Sequence, residues 1–190
     1  MSVKQQLVTA EELWHMPKVP GMRFELIDGE VVKVSPASIR HGVIASAVHD
    51  AIKLHVRQQD LGLVMGDNVG YVLRHDPDHM RAPDVSFLAW DSVPEGDDLE
   101  RFGQGPPTLA VEVVSPNDRA NDIRERVQDY LEAGTHLVWV LWPRRNSISV
   151  YSPGADTREL GPDAVLDGGD VLTGFAVRVG DLFEVPRRRR

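Results

Sequence analysis

The 190-residue chain contains no cysteine, which excludes disulfides, thiolate zinc sites and a cysteine nucleophile together. No run reaches the roughly 18 apolar residues of a membrane span. The opening residues MSVKQQLVTAEELW also lack the apolar segment and small-residue cleavage site of a signal peptide. A cytoplasmic protein with no membrane association is therefore expected. The seven histidines are scattered without a ligand spacing, so any bound metal must be held mainly by oxygen. Positive charge is scarce too. The formal charge of −8 includes the four arginines at 187–190, so the remainder carries −12. Such a body does not favour nonspecific duplex binding driven by counterion release. A nucleic-acid substrate would need a local basic patch or bound metal ions. The RRRR tail could add attraction, but a solvated, disordered end is its plainer explanation.

What is present is an ordinary globular composition, 42% apolar and 26% charged, enough for one buried core. Neither an internal repeat nor a long linker interrupts the chain, so a single domain over 1–186 is expected. TAEELWHMP has Thr9 and Glu12 in capping-box spacing and Pro17 as a stop. MRFELIDGEVVKVSP alternates on both sides of Asp28-Gly29 and predicts a hairpin. From Ser38 to about Asp60, Ile39, Val43, Ile44, Ala47, Val48, Ala51, Ile52 and Val56 recur at helical spacing. Strands are predicted at 68–74, 84–90 and 108–114, the last two separated by an acidic, mobile, exposed loop. A helix follows from Asn117 or Asp118 to Gly134, with Ile123, Val127, Tyr130 and Leu131 inward. HLVWVLW then reads as a central strand covered on both faces, with small strands after Pro143. Strand, helix and strand over 108–142 imply a parallel crossover in a mixed sheet, an α/β or α+β architecture.

One carboxylate stands out in this frame. In TLAVEVVSP, Glu112 shares its strand face with Ala110 and Val114. A buried carboxylate needs a partner, a proton or a cation. The best companion is Asp84 of RAPD, which opens the preceding strand and has no evident counter-charge nearby in sequence. Two like charges at close range call for a proton or a divalent ion between them. Magnesium suits one or two carboxylates completed by water and phosphate oxygens. Simpler roles exist: Asp84 as a strand cap, Glu112 on a solvent-facing position. The RHDPDHM stretch at 74–80 reads as a loop rather than a metal site.

A Pro-Asp opening one strand, a Glu inside the next, then a helix and a further strand resemble the PD-(D/E)xK nuclease superfamily. Within it, FELIDGEVV, SIRHGVIASAV, RAPDVSFL, LAVEVVSPN, DIRERVQDYLEAGTHLVWVLWP and GDVLTGFAVRVGDLF resemble in order the Uma-type family of restriction endonucleases, from about Thr9 to Phe183. The resemblance implies a restriction-endonuclease-like core with an N-terminal hairpin and a C-terminal extension of small strands. It also implies metal ligands at Asp84 and Glu112. The superfamily's lysine belongs two residues after the glutamate, where this chain has Val114. Many Uma-type members lack it there and look as if they supply a lysine from the following helix, in a D-x3-K-x3-Y pattern. Here that pattern reads Asp122, Arg126, Tyr130. Arg126 then becomes the expected charge stabiliser and Tyr130 a substrate contact, although a surface i,i+4 pair would explain the spacing equally well. Glu25 is a further catalytic candidate, with a surface ion pair to Arg23 as the alternative. His41 occupies a family histidine position and is expected to meet phosphate or water, unless it only caps or packs.

The function expected from these residues is a Mg2+-dependent DNA endonuclease, with Mn2+ as a substitute, hydrolysing phosphodiester bonds. Two alternatives belong to other classes. One is an attenuated nuclease-like fold that binds nucleic acid or protein, motivated by Val114 and Arg126. The other is a structural homo-oligomer whose carboxylates make only internal hydrogen bonds; a homodimer is left open in every case.

Overall fold

The protein is described by a computed structural model covering residues 7–17, 19–20, 22–66 and 69–186; the basic tail expected at 187–190 lies outside the described residues. Helix α1 (Ala10–His15) is opened by a reciprocal capping box between Thr9 and Glu12, and Met16 turns extended immediately before Pro17. The strands β1 (Arg23–Ile27) and β2 (Glu30–Val34) pair through a two-residue turn in which Asp28 and Gly29 both have positive φ. Gly29 is also required sterically, because a Cβ there would lie 2.8 Å from the Leu7 side chain. Helix α2 (Ile39–Gln59) starts at the Ser38 cap and ends where Asp60 turns left-handed. It buries Ile44, Val48, Ile52 and Val56, whereas Ile39, first in the expected stripe, stays exposed one turn ahead of the sheet.

Among the described residues eleven further strands and one α-helix follow these elements, in two sheets and a ribbon: β3 (Gly62–Met65), β4 (Tyr71–Arg74), β5 (His79–Arg81), β6 (Val85–Ala89), β7 (Gly103–Gln104), β8 (Leu109–Val113), α3 (Ala120–Ala133), β9 (Leu137–Trp142), β10 (Ser147–Tyr151), β11 (Arg158–Leu160), β12 (Val165–Gly168) and β13 (Leu172–Arg178). The larger sheet has the order β11-β10-β9-β8-β6-β3, parallel only between β8 and β9. Its β8-α3-β9 segment is the expected crossover. Both faces of β9 are covered: α2 packs against Leu109, Val111, Trp139 and Leu141, while α3 packs Ile123, Val127 and Tyr130 against Ala110, Val138 and Val140.

Three expectations need correction. The sheet is not single: the N-terminal hairpin belongs to a second sheet, β2-β1-β5-β4-β7, which separates β4 from β6. The 74–80 stretch is not all loop, since His79 begins β5 after a tight turn, and β3 had no strand signal because four residues are too few for alternation to register. Helix α3 begins at Ala120 rather than 117 or 118, because Asp118 accepts a hydrogen bond from the Ser115 amide and holds 115–118 as a turn. The acidic loop before β8 folds into two 3-10 turns and the short β7, tied to α1 by Arg101 and Glu11.

Candidate active site

The antiparallel register of β6 and β8 pairs Val85 with Val111 and Ser86 with Ala110. Carried one residue further, it sets Asp84 opposite Glu112 at the ends of these two inner strands of the larger sheet. Asp84 stands just ahead of β6, which begins at Val85, and its Oδ2 accepts the Val113 amide at 2.8 Å. Asp84 is not without counter-charge, as its sequence neighbourhood suggested. His41 Nε2 lies 3.1 Å from Oδ2 and Arg23 Nη1 3.6 Å from Oδ1. Burial pulls the His41 imidazole downward, but the hydrogen bond and charge of Asp84 outweigh it and hold its pKa above the usual histidine range. His41 therefore meets an acid rather than capping α2, where Ser38 performs that role.

Glu112 is 7% exposed and far less compensated. Tyr130 donates its hydroxyl to Oε1 at 2.8 Å, and Arg126 Nη1 stands 3.8 Å from the same oxygen. Burial raises the Glu112 carboxyl to a pKa of about 7; Arg126 opposes the rise, and the Asp84 and Glu25 charges add to it. Tyr130 is fully buried, its own pKa raised by burial and then by Glu112. It orients the glutamate from behind, in place of the substrate contact expected for it.

Glu25 corrects a second expectation. It is 1% exposed and does not pair with Arg23. Its Oε2 receives Arg81 Nη1 at 2.9 Å and its Oε1 receives Arg126 Nη1 at 2.7 Å. Arg23, on the same strand face, turns instead to Asp84. Arg126 is accordingly no surface pair: it is largely buried, with a pKa pushed up by Glu112 and Glu25 despite the cost of burial, while Asp122 is exposed and accepts from the Arg119 amide. The chain of charges runs further. Asp129 on α3 takes Arg81 Nη2 at 2.6 Å and His79 Nε2 at 3.0 Å, and His79 Nδ1 reaches Asp28, which also pairs with Arg74. These contacts join both sheets to α3. Arg81, Asp129, His79 and Arg23 were missed by sequence reasoning. Arg81 sits in the RAPD motif and was findable there, but an aspartate in an amphipathic helix reads as solvated, so nothing marked Asp129.

Asp84, His41 and Arg23 also line a cleft of about 1260 Å³ between α1, the smaller sheet and α2. Among the described residues no group of three or more His, Asp or Glu side chains is disposed to hold a metal. A site built on nitrogen or on a full protein ligand set is therefore not what these residues offer. Two opposed carboxylates, one of them with its nearest guanidinium only at 3.8 Å, do fit a hard ion that takes most of its ligands from water and phosphate. Asp84 and Glu112 are the residues that would hold it.

No curated protein matches the chain. Among solved structures, the crystal structure of a "putative nuclease belonging to DUF820 from Anabaena variabilis ATCC 29413" superposes with a TM-score of 0.78 at 22% identity, covering 93% of this chain and 97% of that one. The likeness establishes a common fold, a mixed α/β architecture. Residues 10–180 match the Uma2 family, described as "Putative restriction endonuclease", and the chain belongs to that family.

Proposed function

We propose that the protein is a metal-dependent endonuclease that hydrolyses phosphodiester bonds in DNA, with its reaction centre at the Asp84/Glu112 corner. The observation that supports this reading is the β6-β8 register, which continued by one residue brings Asp84 level with Glu112 at the ends of their strands, with Asp84 on the wall of an open cleft. Family membership supports the reaction class. A bound magnesium or manganese ion would supply an activated water and neutralise charge at the scissile phosphate.

The chain's own residues divide the remaining work. Asp84 is fixed by the Val113 amide, His41 and Arg23, so its oxygens are oriented before any ligand arrives. Glu112, oriented by Tyr130, must lose its proton to bind a cation. Arg126 stays protonated and cannot act as a base. Its role is electrostatic, facing charge that develops on the phosphoryl oxygens, and Glu25 positions it through the 2.7 Å contact. The test is cleavage of labelled single- and double-stranded DNA titrated with magnesium and manganese. Glu112→Gln should abolish it, by at least about 100-fold, if the carboxylate is required.

A second reading is favoured by Val114 at the lysine position and by the tight Arg126–Glu25 contact: a nuclease-like fold without turnover that binds nucleic acid. Arg126→Lys distinguishes the two. Single-turnover cleavage retained or raised by lysine and lost by Arg126→Ala supports the nuclease. Wild type and lysine variant equally inactive with either metal support the binding module.

A further inference from the structure

The acidic body leaves open how a polyanion would approach this centre. Six arginines offer no help, because Arg74, Arg81, Arg101, Arg126, Arg158 and Arg178 each carry an ion pair with an aspartate or glutamate. Arg40, Arg144 and Arg145 differ. Arg40, in the first turn of α2, donates through Nη2 to the Pro143 carbonyl at 2.7 Å and to Asn146 Oδ1 at 3.2 Å, both neutral acceptors. Arg145 places its guanidinium carbon 5.8 Å from the centroid of the Trp142 ring. Among the described residues no ion pair joins any of the three to a carboxylate, and all three are exposed. The first turn of α2 carries no acid, and Asp118 before α3 and Asp122 in its first turn are turned onto the amides of Ser115 and Arg119.

The topology brings this cluster to the reaction centre. The β8-β9 register sets Glu112 beside Val140 and Val113 beside Leu141. Pro143 is thus three residues beyond the Glu112 level, on the order of 10 Å along a strand. From the other side, Arg40 adjoins His41, which contacts Asp84. One end of the larger sheet's inner strands therefore carries both carboxylates and three guanidinium groups that no ion pair compensates. Phosphates recur about every 3.4 Å of helix axis along one strand, so a backbone at the carboxylates would meet the arginines about three nucleotides away.

We infer that Arg40, Arg144 and Arg145, gathered at the β9-β10 turn, form the phosphate-tracking surface that docks the nucleic-acid backbone next to Asp84 and Glu112. The inference rests on the nuclease reading above and names where its substrate lies. Arg40 ties α2 to this turn through Pro143 and Asn146, and the Arg145 guanidinium lies over the Trp142 ring.

Binding of a fluorescent oligonucleotide in metal-free buffer tests this separately from turnover. Each of Arg40→Gln, Arg144→Ala and Arg145→Ala should lower the slope of log affinity against log salt by about 0.9 for duplex or about 0.7 for a single strand, a four- to fivefold weakening at about 0.15 M salt. Arg144→Lys and Arg145→Lys should retain wild-type binding, the latter separating lost charge from lost packing on Trp142. Arg57→Ala, at the opposite end of α2 and about 25 Å away, is the control and should leave the slope unchanged. If the three variants match the Arg57 control while wild type binds and cuts, the surface is wrong and the nuclease reading stands. A wild-type protein that neither binds nor cuts overturns both.

Discussion

Two glutamates lie at similar depth in this protein and live in opposite electrostatic settings. Glu25 has an arginine on each oxygen, at 2.9 and 2.7 Å. Glu112 has a tyrosine hydroxyl, one arginine at 3.8 Å and an aspartate across the ladder, and its pKa is raised to about 7. The first is a member of a matched network that joins two sheets and a helix. The second is a charge the fold tolerates but does not neutralise. Burial alone therefore does not set a carboxylate's pKa; how closely cations match it decides how far the value moves.

Removing one member of the matched network should have the largest effect on stability. Glu25→Gln leaves Arg81 and Arg126 buried with a neutral partner and is expected to cost about 3 kcal/mol in urea unfolding. A loss under about 0.5 kcal/mol, the range of an ordinary surface change, would erase the contrast with Glu112.

Glu112→Gln should act in the other direction. A carboxyl whose folded pKa lies above its unfolded value binds more protons in the native state between about pH 4.5 and 7, so wild-type stability falls as pH rises through that window. The glutamine variant lacks this loss. Without metal it should be more stable than wild type at about pH 8, by on the order of 2 kcal/mol, with no gain near pH 4. Calorimetric melts at the two pH values check both halves. A variant less stable than wild type at both would place Glu112 among the internal anchors.

His79 gives the smallest effect and the reverse sign. The Asp129 hydrogen bond, ahead of the opposing burial and the Asp28 contact, raises its pKa above 6.5. A histidine raised on folding adds stability that is complete below pH 6.5 and disappears as pH climbs through the folded value. His79→Gln should destabilise the protein at about pH 6 in urea unfolding, and that cost should shrink as the pH rises above 6.5. A pH-independent cost would mean that His79 contributes packing rather than charge.

How much of this was legible in sequence follows from the range of each signal. Local signals held: the Asp28-Gly29 turn, the Thr9 box, the α2 stripe and the all-buried β9 are dictated by neighbours within a few residues. Glu112 was legible because a charge among valines violates local patterning, and Asp84 because it opens the next strand of the same face. What failed was partnership across distance. Glu25 meets Arg126 across 101 positions and Arg81 across 56, and no periodicity records such a pairing. The split into two sheets was hidden for the same reason, since strand pairing between β1 and β5 is set by packing rather than by spacing.

The central claim is that Glu112 is held ready for a cation that Asp84 helps to bind. Titration calorimetry of Mg2+ and Mn2+ near pH 6, repeated in buffers of different ionisation enthalpy, tests it most directly. At that pH the carboxyl is largely protonated, so wild type should bind metal with release of close to one proton, and Glu112→Gln should bind weakly or not at all with no release. Metal binding of equal strength in the two proteins, or binding by wild type without proton release, would contradict it.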